Sequence, residues 1–490
     1  MEKHNFGALQ DRAKVGPEVF MADVPMSPHE FGEAFKDFMR HVAKPAAPPE
    51  SLVARQLQEH FEADPAKLPV VAQEFRLTDH PNLQVALDAY LALEGRTSSL
   101  RGYSSDRDRY GGLSLSDLLM PPSTGLMGGD GVAVEAPVKY VAVALDEDDS
   151  LTCVQNGLYV CRDAERRLAV LIRPVDHYPP KLMVEVMAPD RDVAEKFLAE
   201  LRDSMRKRNV YRGRVLTLDM QRDGTLLINP RPLPKVSKKD IILPDGLLDR
   251  IERQTIRFSE HAQRLLAAGR HLRRGILLHG APGTGKTLTA MYLASEMTGR
   301  TVLVVTGRGM GLIEEVGAMA RALQPSTVIV EDVDLIAEER TRQGSCNNGV
   351  LFELLNEMDG LAADADILFL LTTNRPDVLE PALASRPGRV DMAIEVPLPD
   401  RHCRRRLFEL YRQGLRFDVK DLDTIVERTE RVSAAFIREM VRKAALAAAD
   451  EGAELVVEDR HLDEALHELL VEGGRLTRSL LGANGSEPGN

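Results

Sequence analysis

The sequence predicts an α/β protein: a parallel sheet with helices on both faces and a helical C-terminal part, preceded by a helical segment and a small α+β module. Three observations lead there. From about residue 241, short apolar runs alternate with stretches of helical period, as strands buried on both faces by crossover helices do. The apolar run Gly275-Ile276-Leu277-Leu278-His279 leads straight into Gly280-Ala281-Pro282-Gly283-Thr284-Gly285-Lys286-Thr287 and then into helix formers. A second apolar run, Thr327-Val328-Ile329-Val330, ends in the acids Glu331, Asp332 and Asp334.

The glycine-rich stretch fits G-x-x-x-x-G-K-[ST] throughout, and its setting between a strand and a helix start suits a polyphosphate. There, backbone N–H groups and a helix N-terminus converge on the charge of the ligand. Gly283 and Gly285 permit positive φ and close backbone approach. Lys286 is expected to reach the outer phosphates, and Thr287 to offer its hydroxyl to Mg²⁺. The expected binding set is Gly280, Ala281, Pro282, Gly283, Thr284, Gly285, Lys286, Thr287 and Leu288, for a nucleoside triphosphate.

Composition sets the outer limits. A chain of 490 residues suggests about three domains at ~150 residues each. Hydrophobic content of 43% and charged content of 28% are those of a soluble globular protein. No apolar run reaches the ~18–20 residues needed to span a bilayer, so no membrane span is expected. Residues 1–20 lack the apolar core of a signal peptide. Four cysteines make no disulfide framework, and no Cys/His set has zinc spacing, so a reducing cytoplasmic location is expected. The net charge of −12 argues against gross polyanion affinity.

Taken in order, residues 1–94 read as a helical N-terminal region. Ser27 is an N-cap, Pro28 sits at the first helical position, and Glu30 completes a capping box. Phe31, Ala34, Phe35 and Phe38 then share one apolar face, suited to a core or a partner contact. Further helices are expected over residues 52–62 and 83–93. Residues 95–131, rich in Gly, Ser and Pro, read as a flexible linker with a short apolar turn at 115–119. Residues 132–235 read as the small α+β module, with strands at 140–145, 168–172, 182–186 and 214–218 and a helix at 193–205. Asn156-Gly157 predicts a two-residue hairpin turn, which would send Cys153 and Cys161 to opposite faces. Asn229-Pro230-Arg231-Pro232-Leu233-Pro234 reads as a stiff connector.

Over about residues 241–475 the order of motifs resembles the AAA ATPases, within the wider AAA+ group. The resemblance implies ATP as the nucleotide, with Mg²⁺ as cofactor. It divides this part into an ATPase α/β domain at 241–397 and a helical lid domain at 398–480, with a disordered tail at 481–490. Asn374, after the apolar run 367–373, matches the polar residue that the family places between the acids and the γ-phosphate. Residues 381–391 resemble the arginine-finger segment, so Arg386 and Arg389 are expected to touch the γ-phosphate of a neighbouring subunit. A site completed across an interface implies self-assembly into a ring, usually a hexamer in this family. Residues 354–361 resemble the segment that carries signals between subunits, and residues 432–438 the start of a lid helix near the base.

The chain departs from the family pattern in three places. The usual order of acids is Asp then Glu, whereas here Glu331 precedes Asp332. By position Glu331 takes the Mg²⁺ role and Asp332 the water-activating role. A subgroup, the mitochondrial complex III assembly ATPases, is similar in carrying Glu-Asp. The arginine-finger segment is one residue longer than the common form, which gives Arg389 the better-matched reach. After the apolar run 301–305, where polypeptide-threading rings place an aromatic, the chain has Gly309-Met310-Gly311-Leu312, leaving Met310 or Leu312 for a weak grip. The H-E-x-x-H of a fused zinc protease is absent from the sequence.

The leading functional reading is an ATP-hydrolysing remodelling ring that acts on a protein client chosen by the N-terminal parts. The sequence does not name the client. One alternative, motivated by Glu331-Asp332, is a nucleotide-dependent scaffold with little turnover. Another is ATP-dependent nucleic-acid handling, motivated by Arg206-Lys207-Arg208-Asn209-Val210-Tyr211-Arg212-Gly213-Arg214 and the arginines around Arg404.

Overall fold

The computed structural model describes residues 27–42, 51–104, 113–120, 133–163, 166–175, 180–221, 226–230, 234–306, 312–334, 364–377, 390–451 and 455–472, with residues 354, 356–358, 360 and 379. Its first unit is an antiparallel sheet flanked by helices. The strands are β1 (Val70–Arg76), β2 (Thr97–Ser104), β3 (Val134–Ala136), β4 (Lys139–Ala144), β5 (Ser150–Arg162), β6 (Arg167–Val175) and β7 (Lys181–Met187). They lie in the order β1-β7-β6-β5-β2-β3, with β4 also paired to β5. Side-chain alternation loads both faces. Leu168, Val170 and Ile172 join the cluster of helices His80–Leu91 and Arg191–Lys207, while Ala169 and Leu171 join that of Leu52–Phe61 and Leu115–Leu119.

This sheet corrects three sequence expectations. Residues 70–76 are a strand within it, so the region 1–94 is not purely helical. Residues 97–104, read as linker, pair with β5 (97–101) and β3 (102–104), and residues 115–119 are a helix with Leu115 and Leu118 fully buried. The composition misled for a packing reason: a Cβ on Gly102 would lie 2.5 Å from the Ala136 carbonyl oxygen, so a close strand contact demands glycine. Asn156-Gly157 is not a hairpin turn either. It lies inside β5, where pairing passes from β4 (up to Asn156) to β2 and β6 (from Gly157 on). A Cβ at Gly157 would meet Leu100 Cδ1 at 2.9 Å. Cys153 and Cys161 thus sit about 26 Å apart along one strand. Both are free and buried, and burial pushes their thiols up to about 11 and about 12.

The second sheet contains β8 (Val215–Met220), β9 (Leu226–Pro230), β10 (Arg274–His279), β11 (Thr301–Val305), β12 (Ser326–Val330), β13 (Ile367–Thr373) and β14 (Met392–Glu395). Its order is β14-β10-β13-β12-β11-β8-β9, and every pair but β8–β9 is parallel. Two apolar clusters cover its faces, and β11, β12 and β13 are buried at every position, as strands covered on both sides must be. Residues 214–218, assigned from sequence to the α+β module, therefore belong to this sheet. A strand's sheet membership depends on a distant partner, here β11, that its own residues do not name.

The two units are joined through side chains as well as backbone. Leu145, from the turn after β4, and Tyr211 share a buried cluster with β8, β11 and β12. The Tyr211 hydroxyl donates to the Thr78 carbonyl at 3.2 Å, Val210 N–H to Asn82 Oδ1 at 2.8 Å, and the Arg214 guanidinium to the Leu145 carbonyl at 2.7 Å.

A helical unit follows, made of helices Arg401–Tyr411, Leu422–Arg428, Ala434–Glu451 and Asp459–His467 with the short parallel pair β15 (Arg416–Asp418) and β16 (Val456–Glu458). Asp400 caps the first helix by accepting from Cys403 N–H at 2.7 Å. Arg404 is buried and donates to the Val426 and Pro399 carbonyls, so it is a packing residue of this unit. Near the start of the chain the helix Pro28–Val42 forms with the expected Ser27/Glu30 capping box, and it leaves Phe31, Phe35 and Phe38 more than half exposed.

Candidate nucleotide site

The glycine-rich loop leaves the carboxyl end of β10, the central side of a sheet whose strand order reverses there, which is where open α/β sheets hold ligands. Its glycines are fixed by sterics. At φ +144° a Cβ on Gly280 would lie 2.3 Å from the Val396 carbonyl oxygen. Gly283, at φ +75°, would bring a Cβ within 2.7 Å of Ala435 Cβ and Ser433 Oγ. That closeness is a contact between loop and helical unit, since Ala435 N–H donates to the Gly283 carbonyl at 3.1 Å. Gly285, at φ +99°, caps the helix Lys286–Glu296.

Lys286 is buried, and its ammonium donates to the Gly280 and Ala281 carbonyls at 2.9 and 2.8 Å. Burial lowers its pKa to about 8, against the opposing pull of Asp332 and Asp334. The Thr284 hydroxyl donates to the Ala281 carbonyl, while Thr287 and Leu288 are exposed on the first helical turn.

Across the loop stand the acids after β12. Asp332 takes a left-handed backbone at φ +49°, held by its N–H donating to Thr372 Oγ1 at 3.1 Å. The Asn374 side-chain amide donates to Asp332 Oδ1 at 3.0 Å, which joins the sequence-predicted polar residue to the second acid. Burial, then the charge of Asp334, raises the Asp332 carboxyl, with Lys286 and Asn374 acting against them. Burial, then Asp332, raises Glu331 as well.

Loop, acids and helical unit enclose one cleft of about 370 Å³. Its walls bring together Pro282, Gly283, Thr284, Gly285, Lys286, Thr287, Leu288, Asp332 and Asn374; Glu331 is not among them. The rest of the lining is mostly apolar, with Ile241, Ile242, Leu243, Leu407, Tyr411 and Ala434, and it also includes Asp240 and Arg438. Ala434 and Arg438 fall in the segment 432–438 expected near the base, whereas Ile241, Ile242, Leu243, Leu407 and Tyr411 carried no expected role; their only local signal was the apolar run after the proline-rich connector. Arg386, Arg389 and Met310 lie outside the described residues. Leu312 is 7% exposed, so burial removes it as a gripping residue. Among the described residues no group of three or more His, Cys, Asp or Glu side chains is arranged to hold a metal, and no helix is long and apolar enough to cross a membrane.

A glycine-cradled loop at the end of a parallel strand, facing acids on a neighbouring strand, defines a P-loop nucleoside triphosphatase. Comparison with known proteins narrows this: residues 276–398 match the model of the ATPase family associated with various cellular activities (AAA), so the chain carries an ATPase domain of the AAA type. It is 27% identical to the proteasome-activating nucleotidase of Thermococcus onnurineus, over 61% of this chain and 82% of that protein. It is 34% identical to ATPase family gene 2 protein homolog A of Homo sapiens, over 48% of this chain and 28% of that protein. A 26S proteasome regulatory subunit 6B homolog of Dictyostelium discoideum is 36% identical, over 35% of this chain and 46% of that protein. The chain thus spans less than half the length of the last two relatives.

Proposed function

We propose that the chain hydrolyses ATP with Mg²⁺ and, as an oligomeric ring, remodels a protein client. The observation that carries the catalytic part is the Asn374–Asp332 hydrogen bond on the wall facing Lys286 within one cleft. ATP phosphates fit against the N–H groups of the loop, where the Lys286 ammonium exchanges two carbonyl acceptors for phosphate oxygens. The base fits the apolar part of the lining between Ile241–Leu243 and Leu407. Asp332, aimed by Asn374, orients the attacking water. Thr287, which lines the cleft, would hold Mg²⁺ through its hydroxyl together with a carboxylate: Glu331 by position in the sequence, while of the two acids Asp332 is the one that lines the cleft. When bound, Mg²⁺ would supply positive charge against the negative charge that develops on the phosphates.

Arg386 and Arg389 would complete the site of a neighbouring copy, which makes turnover dependent on assembly. The names of the relatives, among them proteasome-activating nucleotidases and an ATP-dependent zinc metalloprotease FtsH 4, favour a protein client. The N-terminal sheet, joined through Leu145 and Tyr211 to the cluster beside β8, β11 and β12, is the part proposed to meet that client, and a cytoplasmic location is proposed with it. The nucleic-acid reading loses support because Arg206 and Lys207 pair with Asp203, and Arg214 with Asp146 and Asp149. The slow-turnover scaffold keeps one supporting feature, the short side chain of Asp332. Electron microscopy and ATPase assays across a dilution series test the proposal: rings with ATP and Mg²⁺, and specific activity that falls on dilution, are expected. A monomer at full activity at every concentration would overturn it, and tight ATP binding with near-zero turnover in intact rings would select the scaffold.

A further inference from the structure

Behind the cleft wall lies a carboxylate that the mechanism above does not use. Asp334 is 5% exposed and does not line the cleft. Its Oδ1 accepts from the Thr373 hydroxyl at 2.7 Å and from Asn374 N–H at 3.2 Å. Backbone pairing between β12 and β13 ends at Val330 and Leu371, and beyond that point side chains continue the connection. Thr372 holds Asp332, Asp334 holds Thr373 and Asn374, and Asn374 returns to Asp332. The Thr373 hydroxyl oxygen also accepts from Arg375 N–H at 3.0 Å, which fixes the chain on the far side of Asn374. Burying a carboxylate carries a desolvation cost, and a neutral side chain would fill the same space more cheaply. What the carboxylate adds is a strong acceptor for two donors at once, at the residue whose amide aims Asp332.

We propose that Asp334 is a positioning residue for hydrolysis: by holding the Thr373 hydroxyl and the Asn374 backbone, it aims the Asn374 carboxamide at Asp332. The proposal rests on the ATP-hydrolysing reading of the site. Asp334 does not line the cleft, and besides its charge, which raises the Asp332 carboxyl, its hydrogen bonds reach Asp332 only through Thr373 and Asn374.

A double-mutant cycle on the full chain tests this, reading kcat, affinity for a fluorescent ATP analogue and thermal melting. Asp334→Asn is expected to lower kcat about tenfold while nucleotide affinity stays within about twofold. The double variant with Asn374→Ala should be no slower than Asn374→Ala alone, because both changes break one path. Thr373→Val should follow Asp334→Asn, and Thr373→Ser should restore turnover; this pair decides the matter if Asp334→Asn folds poorly. Losses that multiply in the double variant, or a Thr373→Val variant with normal turnover, would overturn the role of Asp334 while leaving the ATPase reading intact. A wild-type chain that does not hydrolyse ATP would overturn both.

Discussion

Lys286 makes ATP binding sensitive to pH, and the size of the effect follows from its surroundings. Burial lowers its pKa from 10.5 to about 8 in the free protein. Phosphate charge beside the ammonium acts in the opposite direction and returns the pKa toward its ordinary range. Binding therefore takes up a proton above pH 8, and affinity is full below that value and falls as pH rises through it. The binding-competent charged fraction is about nine tenths at pH 7 and about one thirtieth at pH 9.5. Apparent Kd for ATP should thus weaken about 30-fold across that range, equivalent to about 2 kcal/mol. Calorimetric titration in EDTA, in buffers of different ionisation enthalpy, reads both affinity and proton uptake. A Lys286→Arg variant stays charged and should lose the slope, whatever its affinity. An affinity constant within about twofold from pH 7 to 9.5, with no proton uptake, would refute the reasoning.

Three further outcomes are expected. Gly283→Ala forces a left-handed backbone costing roughly 1–2 kcal/mol and drives a methyl into Ala435 and Ser433, so ATP affinity should drop in a nucleotide titration. Arg300, 4% exposed at its side chain, donates to Asp366 at 2.6 Å and to Thr327 at 3.1 Å; Arg300→Met leaves Asp366 unpaired and should destabilise the ATPase domain by about 3–5 kcal/mol in a melting assay. The raised Cys153 and Cys161 thiols should resist iodoacetamide at pH 8 in the folded protein and react after unfolding, as read by peptide mapping.

The phosphate loop was legible in the sequence because its chemistry is local: residues 280–287 supply both the conformation and the donors that a phosphate requires. Asp332 and Asn374 were placed by their position after apolar runs, and the fold joins them by a hydrogen bond. What escaped the sequence reading depended on distant partners. β2 looked like linker because Gly102 answers to the backbone at Ala136 and Pro137, and β8 looked like part of the first module because its partner is β11. Asn156-Gly157 has the residues of a turn, yet β2 and β6 claim the second half of that strand and keep it extended. Asp334 went unassigned because its role depends on Thr373 and Asn374, about forty residues further along the chain.

Water activation by Asp332 is tested most directly by ATP turnover of Asp332→Asn at saturating Mg²⁺ and ATP. The predicted result is turnover about 100-fold or more below wild type, with nucleotide still bound, because the amide cannot take the proton of the attacking water. Turnover equal to wild type would contradict the assignment of the second acid and, with it, the catalytic reading of the cleft.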